Sequence, residues 1–469
     1  MRLTHGLYWP IFCILLTLSF KVSAQQESNS LLESYIEEGL LNNLALKQKN
    51  FEFEKSLQTV RQARSLMYPA LSLEARYSVA RGGRSEEIPV GDLVNPVYQS
   101  LNALLDAAEN IPGPIDIPDT RFPEFVPNDE INFLRETDQE TKLRLYQPVF
   151  QPEFIIRKRI ADNFSELMAS QRDVYERELV AQIKTAYYQY LIAIEVETVV
   201  EDALKLVDNH LENARKILKL KKSTSYPVYR IEAEKSKLEA ELAEVEGNIA
   251  IAKAYFNFLL NRSLNEEIEV DANKNIDLLE IANIEDYLES AINKREEVNQ
   301  LNLGISTAKE QRKLEVSRKW PTLSAVVDYG IQGEKYSFGA DDDFFIGSLV
   351  FRWNIFSGLR QNARVQEAQV EIERRTVQKE EVTNQIRLEV MRQHNALKTS
   401  RKKMEAAQSE YEAASRGFDI VEALYRNEKS TLLEWLDGRN LLTRSSKSLV
   451  IRKYEHLIQW ADFQRVIGM

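Results

Sequence analysis

Histidines and carboxylates are the residues here that could do acid–base or metal chemistry, and their placement argues against most of it. His5 lies in an N-terminal apolar segment, and His210, His394 and His456 stand isolated in helix-forming stretches without metal-ligand spacing. The sequence carries no phosphate loop, nucleophile elbow or cleft-like pair of catalytic carboxylates, so it reads as a non-enzyme that needs no cofactor. Glu-rich helices always offer carboxylates three or four apart, and these are ordinarily solvated. Glu434 and Asp437, three apart and so on one helix face, are such a pair. A second polar set, Glu74, Arg76, Arg144, Asp328 and Arg352, alternates with apolar residues in short runs and mixes both signs of charge.

The elements that carry these residues are unusually long. Leu359 to Arg416 contains neither proline nor glycine, and Ile386, Val390, Gln393 and Leu397 fall at the four-three spacing of a helix seam. One helix from Leu359 to Asn427 would be roughly 100 Å long. It ends at the polar turn Arg426–Thr431 and resumes at Leu432. Glu153 to Tyr226 is likewise free of proline and glycine, and a turn at Lys222-Ser223-Thr224 precedes a returning helix. Leu238, Leu242, Val245, Ile249, Ala252, Phe256 and Leu259 form its coiled-coil seam.

The ends and the composition bound the class. Arg2, the apolar run Leu7–Phe20 and Val22-Ser23-Ala24 describe a secretory signal over 1–24. The only cysteine, Cys13, lies inside it, so the mature chain uses no disulfide or thiol. Losing Arg2 and Lys21 takes the net charge from −11 to −13, which does not suggest nucleic acid. No mature segment reaches the 18 apolar residues of a spanning helix, so entry into a membrane would require a closed β-barrel.

Two pairs of alternating runs supply the strands. Leu71, Leu73, Ala75, Tyr77 and Val79 point one way, and Leu143, Leu145 and Val149 oppose Lys142, Arg144 and Tyr146. In the second half, Leu323, Ala325, Val327, Tyr329 and Ile331 share a face, as do Phe345, Leu349, Phe351, Trp353 and Ile355, with Ser348, Arg352 and Asn354 opposite. The connection Arg84–Glu140 holds a short helix near Tyr98–Ala108 and carries 13 acidic residues against 3 arginines; a solvated cover is its plainest reading. A short strand is expected at Ile268–Val270.

The two halves repeat. Trp320-Pro321-Thr322-Leu323-Ser324 echoes Tyr68-Pro69-Ala70-Leu71-Ser72, Arg295–Val298 falls on Asn43–Leu46, and Lys429-Ser430-Thr431 echoes Lys222-Ser223-Thr224. The divisions are 25–68 (helix), 69–151 (strand pair with the 84–140 loop), 152–262 (long helical hairpin) and 263–294 (intervening segment). The second set is 295–320 (helix), 321–356 (strand pair) and 357–469 (second long hairpin). Four strands with one apolar face cannot close alone; two copies would give eight strands, and three would give twelve and a lumen. Tyr77, Tyr146, Tyr329, Phe345, Phe351 and Trp353 suit interfacial girdles in outer-membrane lipid, and the alternating charges would line the lumen.

At this point the chain resembles the TolC-like outer-membrane efflux family over essentially its whole mature length. The resemblance rests on the proline-then-strand pairs at Pro69 and Pro321, on Val149-Phe150 and Ile355-Phe356, and on the tip Tyr425–Glu434. It implies a mainly α fold with transmembrane β, a homotrimer whose twelve-stranded barrel is continued by an α-helical periplasmic tunnel. It also implies the outer membrane of a Gram-negative bacterium, with a periplasmic adaptor and an inner-membrane pump as partners. The function implied is a passive exit duct for efflux or type I secretion. By the same resemblance Glu434, Asp437 and Tyr425 form a periplasmic gate, and Lys222, Ser223, Thr224, Lys429, Ser430 and Thr431 are adaptor-docking tips. The first-half counterparts of the acidic pair are Pro227 and Arg230. Two departures stand out: Glu428 and Lys221 occupy positions where glycine is usual, and Ser430 replaces a basic residue. A periplasmic coiled-coil adaptor or scaffold is the alternative, disfavoured by two separated strand pairs with aromatic flanks.

Overall fold

The computed structural model describes residues 31–110, 112–113, 119–270, 283–336 and 342–469, so the signal segment expected over 1–24 lies outside the described residues. In the first half the elements run α1 (Leu31–Asn42), α2 (Leu44–Ser65), β1 (Ala70–Val79), β2 (Ser85–Ile88), α3 (Val90–Glu109), β3 (Asp129–Asn132), β4 (Thr137–Phe150), α4 (Pro152–Lys219) and α5 (Tyr226–Leu260). The second half runs α6 (Ile284–Lys294), α7 (Glu296–Ser317), β5 (Thr322–Gly333), β6 (Asp343–Arg352), α8 (Arg360–Arg426) and α9 (Leu432–Val466). Corresponding helices match in length: α2 and α7 have 22 residues each, α5 and α9 have 35 each, and α4 and α8 have 68 and 67.

Both halves also break their first helix at the same place. Asn43 interrupts what the sequence suggests is one helix: its Oδ1 accepts from Leu46 N, while its Nδ2 donates to Leu259 O on α5. That side chain starts α2 and ties it to α5 at once. The corresponding Arg295, between α6 and α7, is extended and forms ion pairs with Glu297 and Glu389.

The chain forms two compact units. One comprises residues up to Phe51, Ser170–Val298 and Glu381–Met469. Its core is a series of helix seams. Tyr35 and Leu32 of α1 pack with Ile183 and Tyr187 of α4 and Phe256 of α5. Gly39 lets α1 approach α4 closely there, since a Cβ would stand 2.4 Å from Ile183 Cδ1 and displace that side chain. Of the expected seam on α8, Ile386, Val390 and Leu397 are buried against Phe463 and Val466 of α9. Leu238, Val245, Phe256 and Leu259 of α5 are buried as the four-three spacing requires. Residues 268–270 form no strand: Ile268 is buried in the core, and Glu269 N donates to the Tyr35 hydroxyl at 2.9 Å, so side-chain anchoring replaces a ladder.

The other unit, Glu52–Ala169 with Asn299–Glu380, holds a four-stranded antiparallel sheet in the order β1-β4-β5-β6. Both expected strand pairs therefore join edge to edge through β4 and β5, and β1 and β6 are left as open edges. Leu73, Leu143, Tyr329 and Phe345 stand in one row across the sheet and Leu71, Leu145, Val327 and Gly347 in the next, which defines the apolar face. One detail departs from strict alternation. The β4–β5 register shifts between Pro148 and Phe150, so Phe150, and not Val149, stands opposite Leu323. Pro148 has no N–H for the ladder, and a bulge is where a proline fits.

The acidic connection is more built than expected. β2 and β3 pair, and the short helix expected at 98–108 extends over Val90–Glu109. Two asparagines fasten α3 to the returning chain: Asn95 exchanges hydrogen bonds with both backbone groups of Val126, and Asn102 does the same with Phe122. Among the described residues, no helix is long and apolar enough to cross a membrane.

Candidate functional site

Two regions gather the residues singled out by sequence: the sheet and the two hairpin tips. On the sheet, Tyr77, Tyr329, Phe345 and Phe351 lie exposed on the apolar face. Trp353 lies just beyond β6, where its Nε1 donates to Lys319 O at 3.0 Å. Tyr146 does not belong with them. It sits on the opposite face, its hydroxyl 3.0 Å from Ser324 Oγ. Trp320, exposed beside Trp353's end of the sheet, was not singled out, although its place next to Pro321 was a readable signal.

The opposite face is charged and internally paired. Arg144 donates two bonds to Asp328, at 2.8 and 2.7 Å, and lies 3.2 Å from Glu74. Lys142 holds Glu140 at 2.5 Å, and Arg76 reaches the same carboxylate at 3.2 Å. Of the mixed charges read from the sequence, Glu74, Arg76, Arg144 and Asp328 thus form a network with Lys142 and Glu140 across β1, β4 and β5 whose charges largely cancel, while Arg352 lies on β6. Asn354 lies past the end of the strand.

The two tips turn alike. At the end of α4, Lys221 N donates to Leu218 O and Lys222 N to Ile217 O; at the end of α8, Glu428 N donates to Tyr425 O and Lys429 N to Leu424 O. This is the Schellman arrangement, which requires a left-handed residue after the helix. Lys221 and Glu428 supply it with φ of 56° and 58°. The residues at the usual glycine positions therefore keep the glycine conformation. Lys222, Ser223, Thr224 and Lys429 are exposed in the turns.

The next helices start differently. Pro227 occupies the first turn of α5, where a missing N–H costs nothing. α9 instead begins with a capping box: Thr431 Oγ1 accepts from Glu434 N at 3.3 Å, and Glu434 Oε2 accepts from Thr431 N at 2.7 Å. The Thr431 and Ser430 hydroxyls also donate to this carboxylate, at 3.0 and 2.7 Å, and the three donors, led by the Thr431 N–H, hold the Glu434 carboxyl below its usual range. Glu434 thus closes the helix start. Asp437, one turn on, is exposed on the same face. The Thr-Leu-Leu-Glu run is itself a sequence signature of a helix start.

Tyr425 is half-buried in a cluster that the sequence reading missed. Trp435, fully buried, donates its indole N–H to Glu422, and its ring lies 4.0 Å from His210. His210 Nε2 is 3.3 Å from the same carboxylate, and Arg426 Nε donates to it at 2.8 Å. Tyr425 packs 5.7 Å from His210 and 5.9 Å from Trp435. Glu422 therefore joins α4, α8 and α9. Burial lowers the His210 pKa and raises that of the Tyr425 phenol. Burial opposes ionisation of Glu422, yet the Trp435 bond and the neighbouring His210 and Arg426 keep its carboxyl below the usual value. His210 is thus not isolated, and neither is His456, whose Nδ1 is 2.9 Å from the Ser400 hydroxyl.

Long paired helical hairpins bearing one four-stranded sheet define the class: the fold is that of outer-membrane channels. The CmeC outer membrane channel of Campylobacter jejuni matches with a TM-score of 0.73 and 14% identity, covering 94% of this chain and 86% of that one. The outer membrane protein VceC of Vibrio cholerae matches at 0.70 and 14%, covering 93% and 96%. The open state of the MtrE outer membrane channel of Neisseria gonorrhoeae matches at 0.71 and 14%, covering 93% and 88%. Residues 287–469 match the family model described as outer membrane efflux protein. The chain is TolC-like in fold, and the second half carries the family's sequence pattern. No curated protein matches it by sequence.

Proposed function

We propose that the chain is the outer-membrane exit duct of an envelope-spanning efflux or type I secretion system in a Gram-negative bacterium. The observation that carries this reading is the sheet: four strands, two unpaired edges and one exposed apolar face. Three copies pairing edge to edge make a twelve-stranded barrel with no free edge, wide enough for a lumen. Tyr77, Tyr329, Phe345, Phe351 and Trp353 then meet the lipid interfaces. Phe345 and Phe351 are six residues apart, about 20 Å along a strand, close to the height of an outer-membrane apolar band.

The helices continue the duct through the periplasm. Their tips, at Lys222–Thr224 and Lys429–Thr431, meet a periplasmic adaptor, and an inner-membrane pump supplies the energy. Glu434, Asp437 and Tyr425 form the periplasmic gate, where three copies converge six carboxylates and favour cations. Membrane fractionation with unheated electrophoresis tests the reading. An outer-membrane protein migrating as a trimer is expected, and recovery as a soluble periplasmic protein would overturn it.

A further inference from the structure

We propose that three copies of α3, one from each chain of the trimer, pack seam to seam as a parallel three-helix cap over the outer mouth of the barrel. The seam is Leu93, Val97, Ser100, Leu104 and Ala107. These residues keep four-three spacing over about four turns, the pattern of a helix packed along other helices. With Leu101 and Ala108 beside it, the stripe bears no charge, although the insertion around it carries 13 acidic residues against 3 arginines. Leu93 is 69%, Val97 54% and Leu104 65% exposed, so one chain leaves the stripe open to solvent. The hydroxyl in the seam is satisfied within its own helix, Ser100 Oγ donating to Pro96 O at 2.7 Å.

The opposite side of α3 is already occupied. Asn95 and Asn102 bond the backbone of Val126 and Phe122, and the Tyr98 ring stacks on Phe122 at 5.1 Å. The acids of the helix are held by the same returning chain: Asp92 accepts from Asn128 at 3.2 Å, and Arg121 lies 3.1 Å from Asp106 and 2.9 Å from Glu109. At 3.6 residues per turn, Leu93, Val97 and Leu104 stand about 180° around the helix from Asn95 and Asn102. Copies can therefore meet along the stripe without bringing carboxylates together, whereas a cationic partner would seek the acids on the other side.

Position and symmetry commit the occupant. β1 and β4 join α2 and α4 at one end of the sheet, and the insertion leaves from the other. There Ala80 N donates to Glu136 O, and β2 and β3 prolong the ribbon. This step rests on the barrel reading, which brings three α3 helices to one mouth around one axis. Twelve strands about 4.8 Å apart, tilted by about 40°, make a ring about 24 Å across. Three helices of about 10 Å diameter packed around an axis span about 22 Å, which matches that opening.

The test uses the full chain with Cys13→Ser, purified in a neutral detergent. Ser100→Cys lies on the seam, and Gln99→Cys, at a position also exposed, lies off it. Mild oxidation should link Ser100→Cys into covalent dimers within the trimer about tenfold faster than Gln99→Cys, the third thiol staying free. Adding Val97→Glu and Leu104→Glu should bring the linking down to the Gln99→Cys rate while the trimer persists. Val97→Glu alone should lower it a fewfold, which keeps the proposal testable if the double change prevents folding. Equal rates for the two cysteines, linking indifferent to the glutamates, or quenching of a bimane on Ser100→Cys by brominated phosphatidylcholine would each overturn the cap. The last outcome would assign the stripe to lipid. If the barrel reading fails, no trimer is recovered and the cap falls with it; a trimer in which Ser100→Cys stays unlinked overturns the cap alone.

Discussion

Glu434 shows how one carboxylate can hold two assignments. Its oxygens close the α9 capping box, while its position at the tip makes it a gate candidate. Substitution by alanine confounds the two roles, since it also removes the N3 half of the capping box that Thr431 begins. Glutamine at the same place keeps the box, because its amide oxygen can still accept from the Thr431 N–H. The double variant Glu434→Gln, Asp437→Asn is therefore expected to raise single-channel conductance or weaken block by multivalent cations, with helix stability retained. Unchanged conductance and block would remove both residues from the gate. Thr431→Ala is expected to do the reverse, lowering tip stability without changing cation block. The left-handed residues allow a companion measurement. A side chain in this conformation costs roughly 1 kcal/mol, so Glu428→Gly and Lys221→Gly should raise hydrogen-exchange protection at their own tips.

At the scale of elements, the His210–Glu422–Trp435 cluster makes the junction of α4, α8 and α9 sensitive to pH. Burial holds His210 below its ordinary pKa of 6.5, so the unfolded chain takes up a proton before the folded one does. The junction keeps its full stability above pH 6.5 and loses it progressively as the pH falls further. Glu422, held below its ordinary 4.5 with Trp435 and Arg426 as donors, acts in the same direction at lower pH. Amides of residues 425–436 should therefore exchange faster at pH 5.5 than the intrinsic pH trend allows, relative to pH 7.5. His210→Gln should remove that excess, and an excess that persists in the variant would exclude His210 as its source.

This cluster was not legible in the sequence, because it joins residues more than 200 positions apart through a buried indole. The helices that carry it were legible, since long stretches without proline or glycine and with four-three apolar spacing leave a chain little alternative. The strands were legible in their alternation but not at Pro148, where a lost ladder donor shifts the register by one residue. The capping box at Thr431 was written in the sequence, and the gate reading of Glu434 hid it. Asn43 was opaque for another reason: its break depends on a carbonyl of α5 that no local pattern announces.

At the scale of the whole molecule, the proposed barrel makes a single chain an incomplete object. β1 and β6 present unpaired backbone groups on either side of a sheet whose apolar face is exposed, a combination that a single copy cannot leave standing in lipid. The charged face carries no such demand, because Arg144, Asp328, Lys142 and Glu140 already satisfy one another within the protomer. In the proposed barrel, assembly therefore supplies β1 of one copy against β6 of the next. Cys13 is the one cysteine of the sequence, so in a Cys13→Ser background introduced cysteines report on this contact alone. Ser348→Cys on β6, combined in turn with Ser72→Cys and Ser78→Cys on β1, places both thiols on the charged face. Mild oxidation should give a covalent trimer for the pairing whose register brings the two positions together, and dimers from incomplete reaction. Within one protomer β4 and β5 separate β1 from β6, so a disulfide confined to single chains, or none at any register along β1, would show that the edges do not meet and that the barrel closes in some other way.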